Sequence, residues 1–192
     1  MRNQSFNAGR AHGKLGSRAL AVVLCLTFIG GAGVSALAQQ AAAPSAANLF
    51  QDQASKLGAR QCAALYAALG QSVVQGAAFG VKTETNKEAP DAHMVQGVVG
   101  MTYNLSDLKG QAGGIVLAAP AAKGCEGYLV RVAPFQKPCA EMTRSLPAGS
   151  VGEQTLSGVA QYRLGGNQGQ ALTIPNGSTC VVVTLAGMTQ RG

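Results

Sequence analysis

Between residues 46 and 75 the apolar side chains recur at helical spacing. Cys62, Leu65, Tyr66, Leu69 and Val73 step at i, i+3, i+4, i+7 and i+11, so they share one face of a helix, and Phe50, Ala54 and Leu57 extend the stripe upstream. Ser45 or Asn48 can cap its start by accepting from a free first-turn amide, and Asn48 has Gln51 at capping-box spacing. Gly58 and Gly70 are expected to kink or divide the segment. After Gly76 the texture becomes that of strands. Residues 82–91 form a polar loop of mixed charge, and strands are predicted at 94–103, 114–119, 127–133, 159–164, 171–174 and 180–185. Pro138 suits the first turn of a short helix over 138–145. The stretches 165–169 and 175–178 carry the Gly and Asn residues that hairpin turns require. The pattern predicts an α+β domain over 48–187, with an N-terminal helix packed on an antiparallel β-meander of about five to seven strands. A frayed tail is expected at 188–192, and no internal repeat emerges from spacing alone.

The first 38 residues belong to a different pattern. Arg2, Arg10, Lys14 and Arg18 precede an apolar run from Ala19 to Ile29 that ends in glycines, followed by Ala36-Leu-Ala38. A basic segment, a short apolar segment and small residues before the cut make a secretory signal peptide of bacterial type. Cleavage is expected between Ala38 and Gln39, leaving 39–47 as a flexible tether. The apolar run falls short of the roughly 20 residues that a membrane-spanning helix needs. Cys25 lies inside that run as filler, and no transmembrane segment is expected in the mature chain.

Removal of the leader changes the charge and the cysteine count. Eleven basic and eight acidic side chains remain, a net charge of +3 in place of +7. Scattered Lys and Arg without a basic stripe exclude a nucleic-acid partner. Four cysteines remain: Cys62, Cys125, Cys139 and Cys180. An even number in an exported chain reads as two disulfides. No pair has zinc-ligand or redox-motif spacing, so no metal and no cofactor is expected. Three pairings are open. A strand over 127–133 carries the chain about 20 Å away from Cys125, with little chain left to return to Cys139. That argument leans toward Cys62–Cys125 with Cys139–Cys180.

The candidate chemistry is thin. His93 has Asp91 two residues away and Glu84 and Glu88 in the same loop, enough to draw a general base with an orienting carboxylate. A solvated histidine at the mouth of a strand is the plainer reading. Ser150 sits in Ala-Gly-Ser-Val-Gly, close to a nucleophile elbow, but Pro147 precedes it and no long helix follows, so a turn is expected. The eight acids show no spacing that singles out a pair, and there is no Trp to form a sugar platform. Asn104 and Asn176 lie in N-x-S patterns that mark polar turns.

These observations point away from an enzyme. They predict a small periplasmic or secreted, non-catalytic binding or accessory protein of the cell envelope, an inhibitor or an adaptor. Its partner would be a protein or an envelope glycan. Tyr128, Arg131 and His93 are the candidate binding surface, because Tyr and Arg concentrate at binding hot spots. The alternative is a small periplasmic hydrolase working through unidentified carboxylates.

Overall fold

A computed structural model describes residues 45–192. The leader, its Ala38–Gln39 cut and the first part of the tether lie outside the described residues. Two helices, α1 (Ala46–Lys56) and α2 (Ala63–Val73), precede the sheet. Ser45 caps α1, its hydroxyl accepting from the Asn48 amide at 3.3 Å, so residues 46 and 47 are helical and not tether. Gly58 ends the first helix at φ +89°, a conformation that side chains resist, which divides the predicted single helix in two. Gly70 plays a different part from the expected kink. It lies inside α2 where the ring of Phe50 rests on the helix, and a Cβ there would collide with that ring. Phe50 meets Tyr66 edge-on at 5.4 Å and stacks on Phe79 at 5.9 Å, so one aromatic side chain joins both helices to the sheet.

The sheet has eight antiparallel strands, one more than the upper end of the expected range. They are β1 (Ala78–Glu84), β2 (Val95–Asn104), β3 (Lys109–Ala121), β4 (Gly124–Phe135), β5 (Val151–Leu156), β6 (Val159–Arg163), β7 (Gln170–Asn176) and β8 (Thr179–Arg191). A short helix α3 (Cys139–Met142) and a 3₁₀ turn (Thr143–Ser145) join β4 to β5. The order across the sheet is β1-β2-β3-β4-β8-β7-β6-β5, so two four-strand meanders meet where β4 pairs with β8. The residues read as a frayed tail close this seam: Met188 pairs with Gly127 and Arg191 with Gly124. Their partners lie more than sixty positions upstream, too far for local pattern to reveal.

The two meanders are copies of one plan. Pro120 pairs with Cys125 across the β3–β4 hairpin, and Pro175 pairs with Cys180 across the β7–β8 hairpin. Both residues are displaced by 55 positions (175 less 120, 180 less 125). The same displacement carries Val130 onto Leu185, its own partner across the seam. A local twofold axis therefore passes through that pair, normal to the sheet. Each half also has a disulfide from a helix start to the second residue of its last strand: Cys62–Cys125 and Cys139–Cys180. Cys62-Ala-Ala-Leu65 and Leu69 correspond to Cys139-Ala-Glu-Met142 and Leu146 at a displacement of 77 (139 less 62, 146 less 69).

The helical layer breaks the symmetry. In the first half, α2 lays Leu69 against Gly127 and Val73 against Gly114, where the absence of side chains lets the helix approach closely. In the second half the helix stops before Pro147, and nothing corresponds to α1. The main core accordingly gathers Phe50, Tyr66, Leu69, Val73, Val95, Val99 and Val116 in the first half. A smaller cluster of Met142, Leu164, Ala171, Cys180 and Val182 serves the second.

Candidate functional site

The loop expected to hold acid–base chemistry is occupied with structure. The Asp91 carboxylate accepts from the backbone amides of Arg60 and Gln61, at 2.5 and 2.8 Å, and so ties down the turn that launches α2. Glu84 pairs with Lys82 at 2.8 Å on the exposed edge strand β1. Hydrogen bonding to Lys82 and its charge hold the Glu84 carboxyl below the usual range, and the same contacts raise the Lys82 ammonium. His93 is exposed after a 3₁₀ turn (Pro90–Ala92) and lines none of the larger cavities. The Ser150 hydroxyl donates to the Pro147 carbonyl at 2.6 Å and accepts from the Gly165 amide at 3.0 Å, which makes it a clasp between two turns. All four cysteines of the described residues are in disulfides. Among the described residues no three His, Cys, Asp or Glu side chains gather as metal ligands.

Buried polar groups on the helical side are also satisfied internally. Thr83 donates to the Gln53 side chain at 2.6 Å, which uses its single proton, so the Tyr66 hydroxyl at 2.8 Å donates to Thr83. Burial raises the Tyr66 pKa despite that hydrogen bond. The chain Tyr66–Thr83–Gln53 stitches α2, β1 and α1 together.

Tyr128 and Arg131, proposed together from sequence, point to opposite sides of the sheet. Residues paired across strands share a face. Arg131 lies with Leu129 and Ala133 on the side where the helices pack, and Tyr128 lies with Val130 and Val132 on the other. His93 joins neither, so the three form no common surface.

The side without helices carries an apolar field. Val98, Ile115, Leu117, Tyr128, Val130, Val132, Val183, Leu185, Leu172 and Ile174 occupy adjoining positions on β2, β3, β4, β8 and β7. None of them is fully buried, and Val98, Ile115 and Tyr128 are 62, 45 and 49 % exposed. Polar groups take over toward its margins, with Lys82, Glu84 and Gln96 on one flank and Gln161, Arg163 and Gln170 on the other. Comparison with protein-family models, with curated proteins and with solved structures finds no match to this chain. A signal for the apolar field does exist in the sequence. Tyr128-Leu-Val and Val181-Val-Val are apolar at consecutive positions, the pattern of strands covered on both faces. The described residues supply a cover for one face alone.

On the helical side, Arg131 lies at the floor of a groove. The larger lobe, about 320 Å³, runs between Leu69 and Ser72 of α2 and Ala186 and Met188 of β8. The smaller, about 160 Å³, is walled by Phe135, Met142, Leu146 and Leu164. Arg131, Thr184 and Gln168 line both lobes, and Arg131 is the single charged residue of either. Its guanidinium makes no salt bridge or side-chain hydrogen bond among the described residues.

The domain is α+β with two disulfides, which fits an oxidising compartment. No helix among the described residues is long and apolar enough to cross a membrane.

Proposed function

We propose that this chain is an exported, non-catalytic binding or accessory protein of the cell envelope, periplasmic or secreted, that docks a protein partner on the open face of its sheet. The observation that carries the reading is the contiguous apolar field centred on Tyr128 and Ile115, spread over five adjacent strands. Exposed apolar patches of that extent, rimmed by polar residues, mark sites of association. Neighbouring strands lie about 4.8 Å apart, so five strands present a face about 20 Å across. With its polar rim such a face approaches the ~800 Å² per partner of a standard interface. Tyr128 in the middle supplies the aromatic anchor that such interfaces favour.

The test places a photo-crosslinking side chain at Val98 or Ile115 in the full chain expressed in its own cell. A control position is Asp52, exposed on α1 on the opposite side of the sheet. The reading requires one discrete cross-linked protein, identified by mass spectrometry, from the open-face positions and not from the control. It also requires that Tyr128→Glu abolish that product while the disulfide-bonded fold persists. Equal labelling from all positions, or a product indifferent to Tyr128→Glu, would overturn it. The hydrolase alternative has no supporting geometry of its own: His93 and the acids near it are exposed or tied into turns and ion pairs.

A further inference from the structure

We propose that the groove over Arg131 is a binding site for a small amphipathic carboxylate, an anionic head group on an aliphatic body. Three observations meet there. The first is how the groove arises. The Leu69 of α2 corresponds to Leu146, and the Gly127 beneath it corresponds to Val182; both counterparts line the smaller lobe. Val73, which fills the next position over Gly114, corresponds to Ser150, and Pro147 has already ended the helix there. The smaller lobe is thus left where a longer second helix would have packed, and the larger lobe continues from it beside α2, sharing Arg131, Gln168 and Thr184.

The second observation is the charge. The local twofold carries Arg131 onto Ala186, so the same position in the other half holds a methyl group. The sheet needs no cation at this place. Arg131 nevertheless stands half-buried, opposite Thr184, with no acid lining either lobe. A partly desolvated guanidinium without a counter-ion favours an anion, and its planar fork matches a carboxylate in particular.

The third is the lining around that charge. Ala186, Met188 and the little-exposed Leu129 give the larger lobe an apolar lining, and Thr184 and Gln168 line it beside Arg131. An apolar cleft with few convergent polar groups is the usual form of a small-molecule site, and the larger lobe has the volume of one. An alkyl carboxylate would set its head between Arg131 and Thr184 and its chain along α2. This site lies on the opposite side of the sheet from the proposed partner surface, so either can fail without the other.

The test is calorimetric titration and amide-resolved NMR on the oxidised full-length mature chain with sodium octanoate, octylamine, 1-octanol and acetate. Octanoate is expected to bind at least tenfold more tightly than octylamine, octanol or acetate, with the largest shifts at the amides of Thr184, Gln168 and Ser72. Arg131→Gln is expected to weaken octanoate at least tenfold and leave octanol unchanged, and Arg131→Lys to fall between. Ala186→Leu, which narrows the larger lobe without touching the charge, should weaken octanoate as well. Dispersed NMR spectra establish that each variant is folded. Equal affinity for octanoate and octanol, indifference to Arg131→Gln, or shifts confined to Val98 and Tyr128 would each overturn the proposal.

Discussion

The two halves of the sheet share a plan and differ in how it is finished. In the first, α1 and α2 cover β1 to β4, every large side chain of the core is buried, and Gly114 and Gly127 let α2 settle close to the strands. In the second, a single turn of α3 and a 3₁₀ turn do the covering, and the cystine Cys139–Cys180 takes a large share of a small core. One architecture thus carries two jobs. The first half is built for stability. The second spends less on its own packing and leaves a groove at the seam.

The cystines test this division most severely. Their loops of 63 and 41 residues predict, by chain entropy, losses of about 4 kcal/mol for either Cys62→Ala/Cys125→Ala or Cys139→Ala/Cys180→Ala. The location of the damage should differ. Without Cys139–Cys180, hydrogen exchange should show β5, β6 and β7 losing protection while α2, β2 and β3 keep theirs. Without Cys62–Cys125, the first-half core should lose stability yet stay closed at 25 °C. Uniform loss of protection in both variants would mean that the halves are one cooperative unit.

Next come the corresponding leucines. Leu69 is fully buried and Leu146 only partly so. Leu69→Ala should cost about 3 kcal/mol, and Leu146→Ala about 1 kcal/mol, read from urea denaturation. Similar values would mean that the second helix turn is as well packed as the first.

Tyr66 supplies a smaller effect with a pH signature. Tyr66→Phe removes the hydrogen bond to Thr83 and should cost about 1 kcal/mol at pH 7. Burial raises the Tyr66 pKa in the folded chain, so its contribution is complete below the unfolded value near 10 and is lost as pH rises through the folded value. Wild type should therefore lose stability in strongly alkaline solution more steeply than Tyr66→Phe. Parallel curves would show that the phenol does not titrate in that range.

The smallest expected change is in the stability of Arg131→Gln, within about 0.5 kcal/mol of wild type, because the sheet does without a cation at the corresponding Ala186. A loss of several kcal/mol would make Arg131 a structural residue.

Much of the fold was legible from local pattern, and the gaps have physical causes. The stripe from Cys62 to Val73 identified the buried face of α2, because a helix against a sheet leaves a 3.6-residue period in its apolar positions. Edge strands leave less. In β1 only Phe79 and Val81 turn apolar side chains to the core, and Lys82-Thr-Glu84 read as loop because its backbone pairing lies with the distant Gln96 and Val98. Every residue of β5 is exposed, so no hydrophobic alternation marks it. The repeat was hidden by its two displacements, 77 at the helix cysteines and 55 at the strand cysteines, which share no single period. Of the candidate surface, residue type drew attention to Tyr128 and Arg131, and their odd spacing on one strand already puts them on opposite faces; only the packing of the helices shows which face each one takes. The groove could not be read at all, since its lining comes from α2, β4, β8 and the turn at 167–168, which only the β4–β8 seam brings together.

The seam between β4 and β8 has one more consequence. Each cystine closes within its own half, and the chain crosses from one half to the other after Phe135. A backbone cut at Gln136 would give two fragments that each retain their covalent clasp and present one long strand edge. The seam would then be a subunit interface between two unequal partners, whose one-to-one ratio the uncut chain guarantees through a single peptide connection.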